Sequence, residues 1–143
     1  MRTDERQYMV RVDEGEEVVA SLVAFAGDHD VRCAAVTGLG GVGATRLAYF
    51  CTERKEYLPR DFDGVHELVS LVGNLGVHEG APFLHAHVVL SDREFRCFGG
   101  HLMESVVAIT AEFAVRVGDG TIERVANPRL GIKEQQLRGG YQL

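Results

Sequence analysis

The sequence predicts an α+β fold: a mixed, largely antiparallel sheet of six to seven strands with one main helix, in a single domain over residues 1–143, its core at about 6–117 and a C-terminal tail at 118–143. Three observations predict it. Only one stretch keeps apolar residues at sustained three- and four-residue spacing, several others alternate or are rich in β-branched residues, and turn residues separate them at short intervals. A compact chain of 143 residues buries roughly 68–70% of the surface its unfolded form exposes, so a core forms without disulfide staples.

The first strand is Tyr8 to Val12, where Tyr8, Val10 and Val12 alternate with Met9 and Arg11, and Asp13-Glu14-Gly15 ends it. The helix runs from Glu16 to about His29 on Val18, Val19, Leu22, Val23, Phe25 and Ala26, with Asp13 as a loose cap signal. Val31 to Leu39 is β-branched and small. The cluster Gly38, Gly40, Gly41 and Gly43 then turns the chain into a strand from Ala44 to Phe50, as in a hairpin. That cluster reads G-x-G-G-x-G with no helical pattern after it, so it lacks the context of a phosphate-cradling loop and is taken as a turn.

Glu53 to Gly64, polar and interrupted by Pro59, reads as a connection. His66 to Leu75 alternates as a strand and Gly73-Asn74 closes it. Leu84 to Leu90 is the next strand, Phe95 to Phe98 its partner, and Val106 to Val117 the long final one. The tail from Asp119 onward, with Pro128, Gly131 and Gly139-Gly140, reads as loop with at most a short helix.

Charge and cysteine content exclude several classes. Fifteen Lys and Arg against twenty-one Asp and Glu leave a net charge of −6, which opposes the electrostatic attraction behind direct nucleic-acid binding. Cys33, Cys51 and Cys97 form no C-x-x-C pair, which fits neither a disulfide framework nor a cysteine zinc knuckle and suits a reducing cytoplasm. The first residues hold no apolar signal segment, and no apolar run approaches the ~18–20 residues needed to cross a bilayer. The expectation is therefore a cytoplasmic protein that neither spans a membrane nor is exported.

The most informative feature is the histidine content. Five of the six histidines lie between positions 66 and 101. On a strand, His85 and His87 share one face about 6.6 Å apart, while Leu84, Ala86, Val88 and Leu90 share the other. With Asp92-Arg93-Glu94 as a three-residue loop, Ser91 faces Phe95, Val89 faces Cys97, His87 faces Gly99 and His85 faces His101. Gly99 then leaves room beside His87 for an ion and its water. A register error of two residues keeps His101 on that face; a slip of one sends it to the other.

Three neutral imidazoles with one open position make the donor set of a catalytic zinc site, so His85, His87 and His101 are the candidate ligands of zinc or another divalent transition metal, nickel, copper or iron among them. His66 and Glu67, at the start of the preceding strand, are the candidate catalytic pair, supplying a further ligand, a partner for a ligand or a general base. His29 and His78 read as surface residues, and Cys97 as a small packed one.

Gly15-Glu16 with its helix, Thr37-Gly38-Leu39-Gly40, Leu71-Val72-Gly73-Asn74-Leu75, His85-Ala86-His87-Val88-Val89-Leu90-Ser91-Asp92 and Gly99-Gly100-His101-Leu102 together resemble the PPC (plant and prokaryote conserved) domain over roughly residues 6–117. The resemblance implies a homotrimer and, as in prokaryotic members, a histidine metal site at His85, His87 and His101. Plant members contact DNA through a separate Arg-Gly-Arg-Pro hook, which is absent from this sequence. Their Gly-Arg-Phe-Glu-Ile-Leu segment, used for partner binding, corresponds to Gly64-Val65-His66-Glu67-Leu68-Val69; the Arg and Phe are missing and Glu67 is kept, which argues against that partner role. The stretch at about 85–102 is also similar to the metal motif of acetolactate decarboxylases, from which only ligand positions carry over.

The sequence therefore leads to a homotrimeric PPC-type metal-binding module, regulatory or associated with DNA through partners. One alternative is a metal-dependent enzyme acting on a small hydroxy- or oxo-acid, in which Glu67 or His66 moves a proton. The other is direct DNA binding, which the charge and the missing hook oppose.

Overall fold

The computed structural model describes residues 6–138, the side chains of 137 and 138 apart, so the Gly139-Gly140 pair lies outside the described residues. Eight strands and one helix follow in the order β1 (Arg6–Asp13), α1 (Val18–Asp28), β2 (Ala34–Cys51), β3 (Glu56–Phe62), β4 (His66–His78), β5 (Ala81–Ser91), β6 (Cys97–Val117), β7 (Thr121–Asn127) and β8 (Ile132–Arg138). The strand count exceeds the expected six to seven, and the fold is dominated by its sheet. Neighbours run β3-β2-β6-β5-β4-β7-β8, with β1 paired to β6 and β2 paired also to β4. Because β2 meets both β4 and β6, the path β2-β6-β5-β4 closes on itself. The sheet is mixed: β4 and β7 run parallel, and every other strand pair antiparallel.

Alternation decides what is buried. Leu84, Ala86, Val88 and Leu90 of β5 point inward, as do Leu71 and Leu75 of β4 and Ala111, Phe113 and Val115 of β6. Val18, Leu22 and Ala26 of α1 join them in a single core cluster. The helix cap is Glu17 rather than Asp13: its carboxylate accepts from the backbone N–H groups of Val19 and Ala20, and also from Ser105 N at 2.9 Å, which ties the helix start to β6. Asp13 instead returns the chain, its backbone N–H donating to Glu16 Oε2 at 2.9 Å.

The main departures from expectation concern strand length. The glycine cluster at 38–43 is not a hairpin; β2 runs straight through it, with register shifts between Gly38 and Gly40 and again beyond Gly40. Glycine in a strand often marks close approach rather than a turn. A Cβ on Gly38 would strike the Phe113 ring, and Gly40 has φ 156° against the backbone of Thr110 and Ala111, so β2 crosses β6 at a distance only glycine allows. Gly73-Asn74 does not end β4 for a similar reason. A Cβ on Gly73 would meet the His85 carbonyl and Ala86, so the residue presses β4 onto β5 instead of stopping it.

The polar connection at 53–64 contains the edge strand β3, with Pro59 facing Ala48 where an edge position spares it a second ladder partner. The expected strands at 95–98 and 106–117 are one strand, β6. The tail beyond Asp119 is not loop: β7 and β8 form a hairpin whose turn is held by Asn127, its Oδ1 accepting from Arg129 N at 3.0 Å and Leu130 N at 3.2 Å. Cys33, Cys51 and Cys97 are all free thiols. Among the described residues no helix is long and apolar enough to cross a membrane.

Candidate metal centre

His85 and His87 project from the outward side of β5, because Ala86 between them is committed to the core. His101 joins them from β6, where it pairs directly with His87; next along the ladder, Val89 faces Gly99 and Ser91 faces Cys97. The expected register is thus displaced by two residues, which preserves the face. The cause is the loop, which is longer than three residues. Asp92 Oδ1 accepts from Glu94 N at 3.0 Å and Arg96 N at 2.9 Å, and Phe95 takes the left-handed region at φ 61°. Gly99 consequently faces Val89 and makes no space beside His87.

The three imidazoles converge. Their ring centroids are 5.3 Å apart for His85 and His87, 5.1 Å for His85 and His101, and 5.3 Å for His87 and His101. One nitrogen from each lies within 4.8 Å of the other two. Burial, reinforced by Arg124 and the other two imidazoles, holds His85 down at about pH 4. Burial likewise lowers His101 to about 4, with His87 and Arg124 adding to the effect. Both rings are therefore neutral at pH 7, the form that ligates a metal. Among the described residues His101 Nδ1 is buried without a hydrogen-bond partner; with the proton on Nε2 it presents a free lone pair that a bound ion would take up. The residues present fit a divalent transition metal on these observations.

Arg124 is the functional residue that the sequence did not reveal. It lies on β7, is 8% exposed, and its Nη2 donates to Asn74 Oδ1 at 2.7 Å and to His85 Nδ1 at 3.0 Å, while Nη1 donates to Lys133 O at 3.3 Å. The guanidinium has no acceptor, so in this arrangement His85 Nδ1 must be the one that accepts. Tyr57 of β3 lies over His101, ring centroids 4.6 Å apart. The two covering residues come from segments read as a connection and a tail. The available cue for the second was its Asn127-Pro128 turn, with an alternating run on either side.

The other candidates lie elsewhere. His66 and Glu67 sit at the far end of β4, Glu67 opposite Ser91, whereas His85 and His87 face Asn74 and Val72. The structure does not bring this pair to the triad: His66 packs edge-on against Phe98 at 5.3 Å, and Glu67 is exposed. His29 caps α1 and stacks on Phe25 at 4.4 Å. His78 is half-buried, its Nδ1 donating to the Arg124 carbonyl at 2.8 Å, and so is not the free surface residue expected. Cys97 is exposed rather than packed, for it faces Ser91 at the mouth of the loop.

The fold has recognisable relatives. A model of the Plants and Prokaryotes Conserved (PCC) domain matches residues 1–118. The chain belongs to this family. Its PCC domain is similar to the crystal structure of a plant- and prokaryote-conserved (PPC) protein of Pyrococcus horikoshii, at 33% identity over 100% of this chain and 99% of that one, with a TM-score of 0.85. A metal-containing protein of Archaeoglobus fulgidus is similar at 25% identity over 92% and 93% of the two chains, TM-score 0.85. A candidate DNA-binding protein of Bacteroides thetaiotaomicron is similar at 26% over 91% of each, TM-score 0.87. Acetolactate decarboxylase of Bacillus subtilis subspecies spizizenii shares the fold alone, at 13% identity over 84% of this chain and 56% of that one, TM-score 0.56. No curated protein matches the PCC chain.

Proposed function

We propose that this PCC-domain protein is a homotrimeric metal-binding module of the cytoplasm, each chain holding one divalent transition metal, zinc first, on His85, His87 and His101. The observation that carries the reading is the meeting of three imidazole nitrogens within 4.8 Å. Two of these rings are kept neutral by burial, and an orphaned nitrogen sits on one of them. An all-imidazole donor set suits zinc, and an ion held by three ligands keeps one position open, where it supplies Lewis acidity. The metal content of the similar Archaeoglobus fulgidus protein supports the same reading.

The homotrimer is supported by apolar residues on the outward side of the sheet. Leu39, Val69 and Val89 fall in neighbouring positions on β2, β4 and β5, and Val72 lies opposite His87; Val72 is 60% exposed. A surface of this kind, continuous with the triad, is what association between copies covers. The net charge of −6 places any association with DNA on partners rather than on direct contact. A second reading, a metal-dependent enzyme acting on a small hydroxy- or oxo-acid, is favoured by the buried Arg124 beside the triad.

The test is elemental analysis of the purified protein. About one zinc or similar ion per chain is expected, lost in both His85→Ala and His101→Ala; a protein that holds no metal after reconstitution overturns the reading. Sedimentation should give a trimer at micromolar concentration, and a stable monomer removes that part. A DNA probe that the pure protein shifts in a salt-dependent way would restore direct binding.

A further inference from the structure

Arg124 poses a problem of charge balance. A buried cation is costly unless it is paired, yet among the described residues no carboxylate is paired with this guanidinium. Among the described residues its hydrogen-bond acceptors are an amide oxygen, a backbone carbonyl and a neutral imidazole, and its buried Nε has no partner. Glu134, the acidic side chain at the edge of the adjoining cleft, faces Val125 in the β7–β8 ladder and therefore projects to the opposite side from Arg124. Lys133 adds a second cation on the Arg124 side, its Nζ 5.1 Å from the centre of the Phe83 ring.

Metal loading sharpens the problem. His85 Nδ1 has one lone pair, and Arg124 Nη2 now uses it. If His85 ligates through Nδ1, that pair goes to the ion. If it ligates through Nε2, the ring proton moves to Nδ1 and a donor then faces a donor. Either way Nη2 loses this acceptor, and a guanidinium that has three of its five N–H groups matched among the described residues keeps only two matched beside the ion. The cleft around it is walled by Tyr57, Phe83 and Met103.

We propose that Arg124 and the triad form a composite site for a small carboxylate, the anion accepting from the guanidinium beside the metal. This rests on the metal reading above. The carboxylate supplies the missing acceptors in the planar geometry a guanidinium matches, and balances a cation that no described carboxylate compensates. Tyr57, Phe83 and Met103 offer apolar contact to the remainder of the ligand.

The experiment compares pyruvate with its neutral isostere pyruvamide by calorimetric titration of the zinc-loaded protein. Pyruvate should bind at least about tenfold more tightly than pyruvamide, as a charge-assisted contact requires. Arg124→Gln should keep its zinc and lose that preference. The first comparison uses the unaltered protein, so a variant that fails to fold leaves the proposal exposed to refutation. Zinc-loaded protein that binds both alike, or neither, overturns this proposal alone, as does Arg124→Gln with its preference intact. A protein that takes up no zinc overturns the metal reading and this proposal with it.

Discussion

Two hairpins build the candidate site, and they are held in opposite ways. The β5–β6 pair lies inside the closed path of strands: β5 is bonded on both edges, by β4 and β6, and rests on four buried side chains, Leu84, Ala86, Val88 and Leu90. The β7–β8 pair is attached to β4 by two parallel residue pairs, Val77 with Glu123 and His78 with Arg124, and by the buried side chains of Ile122 and Arg124. A further anchor is the Ile122 N–H, which donates to the Arg32 carbonyl at 2.9 Å. The histidine triad thus stands on framework, and the cation stands on an attachment. Precision belongs on the most constrained element, while a group that must exchange one acceptor for another belongs on an element that opens more readily.

The strongest way to break this contrast is to damage the framework. Leu90→Ala, at a fully buried position on the core side of the strand that carries His85 and His87, should cost about 3–5 kcal/mol and lower the denaturation midpoint of the whole chain. An unchanged midpoint would mean that β5 is not the support described. Zinc should restore part of such a loss: at a free concentration one hundred times its dissociation constant, a ligand of the folded state adds about 2.7 kcal/mol. A chelator should remove that gain, and His101→Ala should never show it.

Ile122→Ala should cost about 2 kcal/mol and act locally. Amide exchange should accelerate in β7 and β8 and stay slow in β5, with zinc stoichiometry retained; equal acceleration in both hairpins would erase the distinction. A pH slope is also expected in the metal-free protein. Unfolded histidine titrates near 6.5, whereas His85 and His101 are held at about 4 in the fold, so between these values the unfolded chain binds more protons. Stability should therefore be level above pH 6.5 and fall as pH drops from there towards 4. Chemical denaturation across that window checks it, and Leu90→Ala should share the slope, since it leaves both imidazoles in place.

The two hairpins also differ in how well they can be read from the sequence. Histidines separated by one core residue announce their face, and a hairpin loop misjudged by two residues cannot change it, so the triad was legible though Asp92's hold on Glu94 and Arg96 was not. Arg124 is different. Nothing local distinguishes an arginine buried against Asn74 and His85 from one in solvent, because its burial is decided by residues 50 and 39 positions away. The glycines at 38–43 mislead for the same reason. Their role is set by Phe113 and Ala111 across the sheet, and local turn chemistry says nothing of either.

The ladder between His87 and His101 also sets a rule for inheritance. These residues are paired across a hairpin in which side chains alternate, so their shared face depends on an even number of steps along the chain between them. A descendant that gained or lost a single residue there, without the loop absorbing it, would turn one imidazole toward the core and the buried Leu102 out of it. A change of two would pass unnoticed. Drift in this stretch is therefore expected to advance by pairs, and a relative with odd spacing should either carry a bulge or have abandoned the histidines altogether.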